Sequence, residues 1–72
     1  MSVETATAFL NVYTANPTMR SQLYVMNPKN LADLLRYAHA KTGYTFTKDD
    51  LKEALKSFNS SSANQLKQRY SL

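Results

Sequence analysis

The chain has no cysteine. Neither a disulfide nor a thiolate metal site can therefore reinforce its fold. Its single histidine, His39, has no cluster of Asp or Glu around it at metal-ligand spacing, so no metal is expected. Glycine occurs once, and glycine-rich phosphate loops, nucleophile elbows and zinc spacings are all missing. No cofactor and no catalytic residue is expected, and the chain reads as a non-enzyme. No stretch approaches the ~20 apolar residues that a membrane helix needs, and no basic region precedes an apolar run at the N-terminus. Asn59-Ser60-Ser61 matches a glycosylation sequon, but without a secretory signal it should never meet the glycosylation machinery. A cytoplasmic address follows by default. Acidic residues are scarce too, five against nine Lys and Arg, for a net charge of +4. That moderate excess favours acidic partners.

At 72 residues the chain is one domain, near the size at which a single core only just suffices. Its elements must stabilise one another by apolar burial, with self-association as a further source of buried surface. The most informative stretch is Gly43-Tyr44-Thr45-Phe46-Thr47-Lys48-Asp49-Asp50-Leu51. Gly43 can close a helix in the left-handed conformation without a Cβ clash. Thr47 can cap the next helix, and Asp50, three residues on, can reach back to the Thr47 N–H as a capping box. Phe46 before the cap and Leu51 after it fit a hydrophobic staple. Tyr44 and Phe46 are expected to fold inward.

The remaining chain reads as helices around this turn. A first helix over residues 3–14 has Ser2 as cap and Val3, Ala6, Phe9, Leu10 and Tyr13 on one face. Asn16-Pro17 starts a short second helix over 17–26, with Met19, Leu23 and Met26 as its apolar row. Asn27-Pro28 repeats the cap-plus-proline signal, with Met26 and Leu31 as staple, and predicts a third helix over 28–42 that buries Leu31, Leu34, Leu35 and Ala38. The fourth, over 48–58, buries Leu51, Ala54, Leu55 and Phe58. The third and fourth should pack as a central hairpin. Asn59-Ser60-Ser61-Ser62 then interrupts the pattern. Beyond it Leu66 and Tyr70 offer too little apolar surface to hold a helix down, so residues 59–72 are expected as a flexible or weakly helical tail after a domain over residues 1–58.

Among polar residues, His39 lies at the flank of the third helix's apolar stripe, where a boundary role suits it better than catalysis. Asp49 and Asp50 point about 100° apart on a helix and serve its first turn rather than a shared ligand. Lys48, Lys52 and Lys56 form a basic ridge at i, i+4, i+8 beside the apolar face of the fourth helix. With Arg36 they are the candidate partner-binding residues, able to meet phosphates or an acidic protein groove; the plainer account is a solvated flank whose methylene stems cover the core edge. Met19 and Met26 could form an adaptable binding surface, but at helical spacing around Leu23 core filling is the plainer account.

The order Phe9-Leu10, Asn16-Pro17, Met19, Leu23, Leu31, Leu34 to Ala38, then Gly43-Tyr44-x-Phe46-Thr47-x-Asp49-Asp50-Leu51-x-x-Ala54-Leu55 resembles the Nif-eleven domain over roughly residues 2 to 58. That resemblance implies a small helical protein of the kind associated with nitrogen fixation in cyanobacteria, or the leader of a ribosomally made, modified peptide. A leader would end in a double-glycine type site, whereas the only glycine here is Gly43, inside the domain. The absence of cysteine and the basic charge likewise favour a free-standing member. The resulting expectation is an all-α bundle of three to four short helices serving as a non-enzymatic protein-interaction domain, with a protein partner and no membrane partner. A peptide precursor and a weak, non-specific nucleic-acid binder are the alternatives.

Overall fold

The computed structural model describes residues 2–72 and forms five α-helices: α1 (Val3–Ala15), α2 (Pro17–Met26), α3 (Leu31–Thr42), α4 (Lys48–Lys56) and α5 (Ser61–Arg69). Every one begins with a side chain that accepts an otherwise free N–H of its first turn. Ser2 takes the Thr5 N–H at 3.1 Å, Asn16 that of Met19 at 3.1 Å and Asn30 that of Asp33 at 2.9 Å. Thr47 takes the Asp50 N–H at 3.1 Å, and Ser60 that of Ala63 at 3.2 Å. At Thr47 the expected capping box is complete, because the Thr47 N–H donates back to the Asp50 carboxylate at 3.1 Å.

One cap lies elsewhere than expected. Asn27 does not start α3; it ends α2 in the left-handed conformation (φ 50°, ψ 61°), its N–H donating to the Leu23 carbonyl at 2.9 Å. Asparagine tolerates that conformation better than most residues, and proline after it cannot continue the helix. Asn-Pro therefore works here as a stop, and α3 begins at Leu31 rather than Pro28. The Met26–Leu31 staple is lost with it: Met26 is 61% exposed. Val3, at the first position of α1, is also exposed rather than part of the buried face. Gly43, by contrast, ends α3 as expected at φ 77°, its N–H donating to the His39 carbonyl at 2.8 Å.

The centre of the fold is not the α3–α4 hairpin. The most extensive helix–helix contact is between α1 and α4, and α2 and α5 pack on α1 as well. The linker explains this. Residues 43–47 are non-helical, and five residues at up to ~3.3–3.6 Å each can bridge more than the 8–10 Å between closely packed helices. Phe46 occupies the bridge: it is buried, with its ring 5.4 Å from that of Phe9 on α1. Phe9 in turn lies 6.0 Å from Tyr13. Around this aromatic row are Ala6 and Leu10 of α1, Leu23 of α2, Leu34 and Ala38 of α3, and Leu51, Ala54 and Leu55 of α4, all buried.

The helix beyond the three to four expected is α5, formed by the segment read as a tail. It sends Ala63 and Leu66 into the common core, and Tyr70 after it donates its hydroxyl to the Pro28 carbonyl at 2.8 Å. Ser60, read only as part of a helix stop, is its N-cap. Two further polar ties join elements at the α2 side of the molecule. The Tyr37 hydroxyl donates to the Met19 carbonyl at 3.2 Å, and the Arg20 guanidinium donates to the Tyr13 and Thr14 carbonyls at the end of α1. That end of α1 carries no basic residue of its own, so Arg20 supplies the positive charge that its exposed carbonyls favour.

Leu66→Ala should destabilise the protein by ~2–5 kcal/mol, like Leu55→Ala in α4, because both side chains are enclosed in one core. Thermal melts of the two variants check this; a Leu66→Ala melt at the wild-type temperature would mean that α5 does not belong to the core. At Gly43 an added Cβ would meet no atom within 4 Å, so the cost of substitution is conformational only. Gly43→Ala should lose ~1–2 kcal/mol and Gly43→Asn less, whereas equal losses on chemical denaturation would contradict the left-handed cap.

Candidate interaction surface

The candidate partner-binding residues expected from sequence are all at the surface. Lys48, Lys52 and Lys56 are exposed along α4 and Arg36 is exposed on α3. Lys56 pairs with Glu53 at 3.1 Å, both side chains being more than half exposed, and Arg36 lies 4.0 Å from Asp33. Exposed pairs of this kind contribute little to stability. Helix α4 carries Asp49, Asp50 and Glu53 beside its three lysines, so its formal charge is zero. The whole positive excess of the chain therefore lies outside α4. His39 is exposed, with Nδ1 at 2.9 Å from the Thr45 hydroxyl, a contact that ties the end of α3 to the linker. Asp50 serves the Thr47 cap. Among the described residues no three His, Cys, Asp or Glu side chains converge as a metal site.

A different surface stands out once burial is known. Tyr24, Val25 and Met26, the last turn of α2, are 77%, 81% and 61% exposed. Helix α2 buries only Met19 and Leu23, one i, i+4 pair, and the left-handed Asn27 then turns the chain away from the helix axis. The three exposed side chains are left without a neighbouring element to cover them. Beside Met26 lies a groove of about 500 Å³ whose lining includes Pro28, Lys29, Asp33, Arg36 and Tyr37. On the other side Val25 and Met26 border a second hollow with Lys41 and Gln22, and Tyr24 and Val25 border a third with Arg69. Each hollow around the apolar strip thus includes at least one base, and Asp33 is the one acidic side chain among them.

Of the four candidate partner-binding residues, the structure places Arg36 beside this strip and the three lysines on α4. Core filling is the plainer reading of Met26 from its spacing to Met19 and Leu23, and the structure instead leaves it 61% exposed beside Tyr24 and Val25. The sequence did contain a signal. Leu23-Tyr24-Val25-Met26 are four consecutive apolar residues, which at ~100° per residue spread over most of a helix circumference. One packed face cannot bury them all, so a helix with such a run must expose part of it.

A protein-family model described as the Nif11 domain matches residues 1–51. No curated protein and no solved structure matches the chain. The matched segment runs from α1 through the Gly43–Thr47 linker to the first turn of α4 and includes the exposed strip; α5 lies outside it.

Three tyrosines, one on α1, one on α3 and one at the end of α5, bear on pH behaviour. Burial pushes the phenols of Tyr13, Tyr37 and Tyr70 above their ordinary value, with Arg20 pulling Tyr13 and Arg69 pulling Tyr70 the other way. A group that holds its proton more tightly when folded stabilises the fold below its unfolded pKa and loses that contribution as pH rises through the folded value. Melting temperature should therefore fall above about pH 10, and less steeply in Tyr13→Phe than in wild type. Melts recorded from neutral to strongly alkaline pH check the difference; parallel curves would assign the alkaline loss to other groups.

Proposed function

The chain belongs to the Nif11 domain family, and we propose that it acts as a non-enzymatic docking domain that binds a larger protein. The observation that carries this reading is the unburied Tyr24-Val25-Met26 turn on a fold whose other large apolar side chains are mostly enclosed. Three adjacent large apolar side chains left in water cost free energy that burial against a partner recovers. The association with nitrogen fixation that the family resemblance implies supplies one setting for such a partner.

Two other readings have less support. A peptide precursor would release residues beyond Phe58, yet α5 contributes Ala63 and Leu66 to the core, so that release would open it. A nucleic-acid binder would use the α4 ridge, with Arg36, Lys67 and Arg69 as additional phosphate contacts. Each ridge lysine is offset by a carboxylate on the same helix and Arg36 lies 4.0 Å from Asp33, whereas a strong phosphate site needs a cluster of uncompensated cations.

Native mass spectrometry of the tagged chain, purified gently from its own host, tests the proposal. The expected result is a stoichiometric complex with one larger protein, in which the 8.2 kDa chain retains its full, unmodified mass. A chain recovered only by itself overturns the docking reading, and a chain cleaved after α4 or dehydrated at serine overturns it in favour of a precursor.

A further inference from the structure

We infer that the Tyr24-Val25-Met26 strip and the groove beside it receive an amphipathic helix of the partner whose apolar face is bordered by Asp and Glu. This inference rests on the docking reading and specifies its surface and chemistry. The groove, at about 500 Å³, is in the range of sites that accept a few large apolar groups, and Tyr37 and Pro28 line it below Met26. Helix-in-groove recognition uses apolar anchors at i, i+3, i+4 and i+7. The strip offers apolar surface for such anchors, and the groove offers a recess for one of them.

The rim selects the partner's charge. Lys29 and Arg36 stand on the groove side, Lys41 beside Val25 and Met26, and Arg69 beside Tyr24 and Val25, all four exposed. Among the described residues, Arg36 is the one of these four with an ion-pair partner, Asp33 at 4.0 Å. Carboxylates flanking a partner's apolar stripe would meet these bases, which raises association rate and excludes basic competitors. The same rim argues against a second copy of this chain. In a two-fold contact the patch faces itself, and four bases would confront four bases. It also sets the patch apart from a phosphate-binding surface, whose centre would be cationic rather than Tyr, Val and Met. An anionic bilayer shares the charge preference, but a concave groove fits a projecting side chain better than a flat surface.

The test uses the full chain, isotope-labelled, and a synthetic 18-residue helix with Leu at i, i+3, i+4 and i+7 and Glu on both flanks. Companion probes are the same peptide with Lys in place of Glu, a scrambled peptide of identical composition, phosphatidylserine-containing vesicles and a short DNA duplex. The Glu helix should shift the amide resonances of residues 24–26, 36 and 41, and bind roughly tenfold or more tightly than the Lys or scrambled peptide. Binding should weaken with salt. Val25→Glu, at a side chain 81% exposed, should abolish binding with the melt unchanged, while Lys48→Ala/Lys52→Ala/Lys56→Ala should leave it within about twofold. Equal binding of the Lys peptide, shifts confined to α4, tighter binding to vesicles or DNA, or dimerisation through Val25 in sedimentation each overturns the inference. Val25→Glu/Arg36→Glu in the host separates the two proposals: a complex that survives it leaves the docking reading standing and this surface wrong, whereas the absence of any wild-type complex removes the docking reading itself.

Discussion

The contact between Phe9 and Phe46 is the one on which the rest of this structure depends. Phe9 lies on the inner face of α1, and Phe46 comes from the linker that carries the chain from α3 to α4. Seating one ring against the other brings the linker along α1 and sets the point from which α4 departs. The capping box at Thr47 then fixes the direction in which α4 leaves. Leu51, Ala54 and Leu55 are presented to α1, and Ala6 and Leu10 complete the layer. With so few core residues, each aromatic side chain is a large share of the apolar area available. That is why the linker, rather than either helix alone, decides the arrangement.

Polar groups on the α2 side of the molecule are used structurally, and two of the residues they tie down, Tyr37 and Pro28, line the groove proposed for binding. Tyr37 holds the Met19 carbonyl, Arg20 the end of α1, and Tyr70 the Pro28 carbonyl. The Tyr37 and Tyr70 bonds join residues 18 and 42 apart in sequence, and the Tyr70 bond links the end of α5 to the α2–α3 connection. Such ties hold the base of α2 and its following linker in place while the last turn of α2 faces solvent. A fixed backbone beneath exposed apolar side chains lowers the ordering cost of binding. The exposed strip is thus presented by an anchored helix rather than by a loose loop.

Charge is distributed in a way that net charge alone conceals. The lysines of α4 share their helix with an equal number of carboxylates, and the excess of the chain lies on α2, α3, α5 and their connections. Regular spacing of Lys48, Lys52 and Lys56 makes a visible ridge, but the field at a surface depends on all nearby charges. The bases around Tyr24-Val25-Met26 have irregular spacing in sequence and come together only in space.

Much of the local structure was determined by the sequence itself. The caps at Ser2, Asn16 and Thr47 and the left-handed Gly43 depend on interactions within a few residues, so their residue types suffice to locate them. Asn27 and Asn30 show where local chemistry stops deciding: either can cap a helix, and the choice rests on whether the last turn of α2 finds a core to enter. Leu66 and Ala63 show the same limit, since a short apolar pair is held only if α1 presents a face to it. Replacement of the expected α3–α4 hairpin by α1–α4 packing was settled by where Phe46 finds its partner. The candidate site divides along the same line. Arg36 and the α4 lysines were legible as charged, exposed positions, whereas the cluster of Lys29, Arg36, Lys41 and Arg69 around an uncovered apolar turn exists only after folding. Burial is a property of the whole chain, because a side chain is covered or left in water according to what other segments bring to it.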